Sequence, residues 1–156
     1  MQHLPVRMRG WRTARGVRCP PAMGRCRLKD DHEAIRALLA RIERGEAEVC
    51  ELGPVLEPHL AFEEEEVLSR LSERLPTGTG PIRTILEDHQ TIRDLLAGLA
   101  VALDDREAFE HLAGLLLAHF QKEEELVMPF AHAHFCAEEL GQIGCAPTAP
   151  SQGVTS

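Results

Sequence analysis

Between residues 82 and 103 apolar side chains recur at steps of three and four, Ile82, Ile85, Ile92, Leu96, Leu99 and Leu103, and the one missing position is filled by His89. That period is the buried stripe of an amphipathic helix, so the imidazole belongs to the stripe and must be housed by whatever packs against it. Three more segments repeat the pattern: His32, Ile35, Leu39 and Ile42; then Leu52, Leu56, His59, Glu63 and Val67; then Leu112, Leu116, His119, Glu123 and Val127. A fold built from these helices has to place four histidines and two glutamates in its interior.

The helix boundaries follow from local signals. DDHEAIRALLARIERG begins with Asp capping candidates and ends at Gly45, which predicts a first helix over about 31–44. A second spans about 46–75, bent or interrupted near Gly53 and Pro54, with Pro58 also inside it. PTGTGP is a loop, and Pro81 opens a third helix that continues to about Leu103. Asp104 and Asp105 cap a fourth, which reaches about Met128 before Pro129, with a short helix after it. Tyr is absent, Trp occurs once, and long stretches lack Gly and Pro, so helix is favoured over sheet. Short connections between four helices predict an all-α, up-down-up-down four-helix bundle.

The net charge of −8 is unevenly distributed: residues 1–29 hold eight basic residues and no acid, and residues 30–156 hold all 25 acids against nine basic residues. The acidic body argues against nucleic-acid binding. Residues 1–29, Arg-rich with Gly and Pro and without period, read as a disordered tail rather than a transit peptide or a nucleic-acid arm, and Met23 stands just before the ordered pattern begins. Residues 30–135 form the expected domain, and residues 136–156 a flexible C-terminal tail. The five cysteines are scattered, with no CxxC pair, which fits a reducing cytoplasm, and Cys50 and Cys136 read as packing residues. No window approaches the roughly 18 apolar residues of a membrane span. A soluble, cytoplasmic protein is expected.

Energetics decide what the inward polar residues do. In HLAFEEEEV, residues 59–67, Glu63 lies on the stripe with His59, whereas Glu64 and Glu65 rotate toward water. A carboxylate buried without a cationic partner costs several kcal/mol. Arg36 and Arg93, the sequence candidates for cationic partners, are too few and too bulky to neutralise the set, so a metal centre is the better account. Residues at i and i+4 lie about 5–6 Å apart at Cβ, so His59 with Glu63, and His119 with Glu123, can reach one site. The halves repeat as well: DHEAIRALLARI (31–42) and DHQTIRDLLAGL (88–99) share Asp, His, Ile, Arg, Leu, Leu and Ala in register, and each is followed by a helix carrying HxxxEEE. Each half supplies His, His, Glu. Two such sets fit two ions, each with two histidines and both sharing the glutamates, and a donor set of imidazole and carboxylate without thiolate suits iron, or less well manganese, over structural zinc.

These residues and their paired HxxxE motifs, over about residues 30–130, resemble the hemerythrin-like HHE cation-binding family. The resemblance implies a four-helix bundle around a non-haem di-iron centre, with His32, His59, Glu63, His89, His119 and Glu123 as ligands and the two glutamates bridging. A ferritin-like site would need ExxH pairs, and none of the eight histidines has a Glu three residues before it. Oxygen-carrying hemerythrins have a further histidine where this chain has Arg93, so the resemblance points to sensor or iron-centre repair members rather than carriers. Residues 1–29 are too short for the cysteine-bearing N-terminal domain of the repair members. Arg93 either lies near the centre, where it could hydrogen-bond a bound peroxide or pair with Glu123, or turns its head to solvent. Glu66 is a possible extra ligand. His132 and His134 read as surface residues, His111 as partly exposed, and His3 as part of the tail.

Two histidines, two glutamate oxygens and one bridging hydroxide would give each iron five ligands and leave a position for a small diatomic ligand or peroxide. The leading expectation is a di-iron protein that binds or senses O2, NO, peroxide or iron. The alternatives are an enzyme with peroxidase-like or NO-consuming activity at the same site, an iron-centre repair factor, and a purely structural bundle. No protein partner is indicated.

Overall fold

The computed structural model of the chain describes residues 26–75 and 80–145, and among these every regular element is helical. Helix α1 is Arg27–Glu43. Helix α2, residues 49–72, opens with a 3₁₀ turn at Val49–Glu51, continues as α-helix through Leu52–Phe62, widens to a π-helix at Glu63–Leu68 and ends with Ser69–Ser72. Helix α3 is Pro81–Val101. Helix α4, residues 106–134, comprises Arg106–Lys122, a π-helical segment Glu123–Val127, and Met128–His134. A short α5, Ala137–Gln142, follows. α1 packs on α2, α3 on α4, α1 on α4 and α2 on α3, which makes a helical bundle.

Gly45 ends α1 as expected and shows why glycine is needed there. At φ 69° it occupies the left-handed region, its N–H donates to the Ile42 carbonyl at 2.9 Å, and the Glu46 N–H reaches back to Arg41 at 2.8 Å. These two bonds satisfy carbonyls that the helix would leave unpaired. Gly53 and Pro54 do not interrupt α2: they fall in the first turn of its α-helical part, where a missing N–H costs no helical bond, and Pro58 lies within the helix. Asp105 caps α4 by accepting from the Ala108 N–H at 3.0 Å. α3 stops at Val101, so Leu103, expected in the core, sits in the following turn and is 53 % exposed.

The tail boundaries expected at residues 29 and 136 do not hold. α1 starts at Arg27, with Cys26 and Leu28 buried, and residues 136–145 are folded onto it. A second glycine-terminated helix end explains this. Gly144, at φ 68°, closes α5 with bonds to Gly141 at 3.0 Å and from Cys145 to Leu140 at 2.7 Å, and its own carbonyl accepts the Arg27 N–H at 3.0 Å. The C-terminal segment therefore caps the first helix. Ile143 and Cys145 are buried against Leu28, and Cys145 is bonded to Cys26. No CxxC-like spacing signals that pairing, and it removes cysteine usage as a reason to expect a reducing compartment. Cys50 and Cys136 are free and exposed rather than packed. The N-terminal tail over residues 1–25 and the end of the chain over residues 146–156 lie outside the described residues. No described helix is long and apolar enough to cross a membrane.

Two apolar clusters flank a polar layer. One gathers Leu28, Val67, Leu71, Ile85, Met128 and Ile143; the other holds Ile35, Leu56, Leu60, Ile92, Leu112 and Phe120. α1 passes from the first cluster to the second, α2 back, α3 forward and α4 back, and each crosses the layer at a histidine. Large-to-small changes in a filled cluster leave a cavity, typically at a cost of about 2–5 kcal/mol, whereas exposed positions shift stability by about 0.5 kcal/mol. Leu112, fully buried, and Leu117, half exposed, lie five residues apart on one helix. Denaturant unfolding should show Leu112→Ala destabilised by about 2–5 kcal/mol and Leu117→Ala nearly unchanged; equal losses would mean that α4 is rotated from this orientation.

Candidate metal centre

Each helix contributes to the polar layer for a local reason. His32 and His89 replace an apolar residue on the stripes of α1 and α3. His59 with Glu63, and His119 with Glu123, lie one turn apart on α2 and α4, and all six side chains are buried. The π-helical segments begin at the glutamates. From His59 the inward residues are Glu63, Val67 and Leu71, and from His119 they are Glu123, Val127 and Ala131, four apart at every step. In an α-helix each step of four overshoots one turn by about 40°, so such a row would drift off the core. A π-helix closes its turn with an extra residue and absorbs that drift. The run of fours was visible in sequence, and its consequence for the helix type was missed.

The six residues form two overlapping groups, His32, His59, Glu63 and Glu123, and Glu63, His89, His119 and Glu123, with the candidate ligand atoms of each group within 4.8 Å of one another. Glu63 turns Oε1 to His59 Nε2 at 3.1 Å and to His32 Nε2 at 3.7 Å, and Oε2 to His89 at 3.2 Å and His119 at 3.8 Å. Glu123 places Oε2 3.0 Å from His32, and Oε1 3.2 Å from His119 and 3.9 Å from His89. Each carboxylate thus presents one oxygen to each half. The imidazoles stand in pairs, with ring centroids 5.0 Å apart for His32 and His59 and 4.8 Å for His89 and His119.

Although these atoms are close, none of the four Nε2 atoms, neither Glu63 oxygen and not Glu123 Oε2 completes a hydrogen bond. Buried polar atoms are normally paired, because an unpaired one forfeits its hydration without return. Seven such atoms converging on one layer fit a donor set for cations.

The outward ring nitrogens meet carboxylates. His32 Nδ1 lies 2.8 Å from Glu124, His89 Nδ1 2.8 Å from Glu64, and His119 Nδ1 3.3 Å from Asp88. Asp31 is the counterpart for His59, at 3.5 Å. Basic groups hold these carboxylates in turn: Arg36 donates to Glu124 at 3.0 Å, Arg93 to Glu64 at 2.7 Å, and Lys122 grips Asp88. Glu64, expected to face water, is therefore half-buried and engaged, whereas Glu65 is exposed. Arg93 pairs with Glu57 and Glu64, and not with Glu123. Glu66 does not join the cluster: its carboxylate binds Arg70 at 2.7 Å and its side chain is 41 % exposed. His111 and His134 are exposed, and His132 is half-buried away from the layer. The outer carboxylates escaped the sequence reading, although the repeated Asp-His of 31–32 and 88–89 and the paired Glu after each inward Glu were their signal.

A buried bundle layer of four imidazoles around two shared carboxylates defines a cation-binding class of protein. The model of the hemerythrin HHE cation-binding domain matches residues 25–131, and the chain belongs to that family. Comparison with curated proteins and with solved structures found no match.

Without a cation, protons have to balance the glutamates. Burial alone would lower the pKa of His32, but the close approach of Glu123, then of Glu63, with Glu124 at the far nitrogen, raises it to about 9. The same balance at His89, with Glu64 outside, raises it to about 10. At Glu63 burial acts upward, and His119, His32 and His89 outweigh it and hold the carboxyl well below the usual range. Both histidines titrate above the ordinary value of about 6.5, so their contribution is complete below that pH and is lost as pH rises through about 9–10. Protein stripped by a chelator should therefore lose melting temperature from pH 6.5 to 10, and cation-loaded protein should lose much less. A flat profile for the stripped protein would show that these histidines are not the counter-charge.

Proposed function

We propose that the chain is a non-haem di-iron protein whose His32, His59, Glu63, His89, His119 and Glu123 hold two iron ions, with each glutamate shared between them, and that it binds or senses a small ligand such as O2, NO or peroxide. The observation that carries this reading is that each buried carboxylate faces one oxygen to each histidine pair. The alternation of the four long helices between the two apolar clusters supports an up-down-up-down bundle as its frame. Imidazole and carboxylate without thiolate suit iron, and manganese second. Bound iron would supply a change of oxidation state and a coordination position for the small ligand.

The protein's own residues do the positioning. Glu124, Glu64 and Asp88 hold the outward nitrogens of three histidines and thereby turn the other nitrogen of each toward the glutamates, the arrangement that fixes tautomer and ring orientation in metal sites. Leu60, Leu116 and Phe120 border the layer and are fully buried, so water is excluded from that side. His32 stacks on Phe120 at 4.2 Å. Arg93, at the position of the oxygen carriers' extra histidine, is occupied by Glu57 and Glu64 and adds no seventh donor. That favours a sensor or an oxidant-consuming protein over reversible oxygen carriage, and turnover of peroxide or NO, as against stoichiometric binding, separates those two.

Anaerobic loading followed by elemental analysis should give two irons per chain, and the optical spectrum should change on adding O2, NO or peroxide. Glu63→Ala and Glu123→Ala should lose iron, whereas Glu65→Ala, at an exposed position of the same run, should retain it. One zinc per chain, or equal iron retention in all three variants, would sink the assignment.

A further inference from the structure

The two halves of the centre are related by sequence repeat, yet their outer supports are unequal. Among the four histidines, His59 alone has neither ring nitrogen in a hydrogen bond. Its nearest outer carboxylate, Asp31, is 34 % exposed and stands 3.5 Å from Nδ1, with Arg27 a further 3.7 Å from that carboxylate. Arg27 is drawn elsewhere: its guanidinium lies over the Phe62 ring, 3.7 Å from the centroid. At the equivalent place in the other half, Asp88 is 13 % exposed, hydrogen-bonds His119 and is gripped by Lys122. The remaining pair is balanced, because His32 and His89 each meet a glutamate at 2.8 Å that an arginine holds. Among the outer carboxylate supports, the difference between the halves thus falls on His59 against His119.

We propose that the two cation positions hold their ions unequally: the His32–His59 position releases its ion first, and Asp88, with Lys122, is the positioning residue that makes the His89–His119 position tenacious. This rests on the two-ion reading above. An imidazole whose outer nitrogen is hydrogen-bonded has its tautomer and orientation set before the ion arrives, whereas in His59, held by packing without that bond, binding has to set them. A carboxylate at Nδ1 also makes Nε2 the better donor, and removing such a partner typically weakens metal binding by about 10- to 100-fold.

The test is release of ferrous iron from the fully loaded, anaerobic protein to an excess of a coloured chelator, followed over time. Wild type should release two irons in two phases of equal amplitude. Asp88→Asn should accelerate the slow phase by about 10- to 100-fold and merge it with the fast one, whereas Asp31→Asn should change the fast phase by less than about threefold. Circular dichroism of each loaded variant checks that the helices are intact, and Lys122→Met, which keeps Asp88 and removes its grip, should give an intermediate slow phase. Two irons leaving wild type in a single phase, or a slow phase untouched by Asp88→Asn, would overturn the proposal and leave the two-ion reading standing. A chain that loads only one iron overturns both.

Discussion

Two carboxylates sealed in the middle of a helical bundle set the terms for everything around them. A buried anion without compensation costs several kcal/mol, comparable with the whole stability of a domain of this size. Glu63 and Glu123 are surrounded by four imidazoles, and the compensation comes from protonated His32 and His89 or from a cation that the four rings would hold. The imidazoles need carboxylates behind them, and those carboxylates need Arg36, Arg93 and Lys122 at the rim. Charge alternates outward from the centre, negative, positive, negative, positive, until it reaches water. Such an arrangement fixes the rotation of four helices at once, because turning any one of them would break the alternation.

The apolar clusters have a supporting part. They lie above and below the layer, so the helices are zipped by ordinary packing at both ends and held in register by polar contacts in the middle. The π-helical segments reconcile these demands. They let α2 and α4 present a histidine, a glutamate and then core residues at steps of four without twisting off the bundle axis. Their position at the buried glutamates, in both halves, ties this departure from α-helix to the site.

Much of this was readable from residue order. The three-four period named the inward positions, and the absence of apolar residues at six of them announced the polar layer, because burial of Glu63 or Glu123 makes sense only beside something positive. The outer carboxylates were harder to read, since a Glu at position 64 or 124 looks like part of a solvated acidic run until the facing helix is seen. Their partners, His89 and His32, come from 25 and 92 residues away along the chain. The folding of residues 136–145 was illegible for a similar reason: Gly144 and Cys145 look like linker residues, and their role exists only because Arg27 and Cys26 stand opposite.

That closure has a consequence for how the domain is attached to anything else. Cys26 and Cys145 are 119 residues apart in sequence and covalently joined, so the folded unit enters and leaves through one doorway. Whatever is appended before residue 26 and whatever follows residue 145 start from the same pole of the bundle, beside Leu28 and Ile143 and on one side of the histidine layer. Pulling on both flanks would load the doorway and leave the helices unstretched. The centre is thereby mechanically insulated: a fusion partner or tether at either end can be strained without that force being transmitted along the helices that hold the imidazoles.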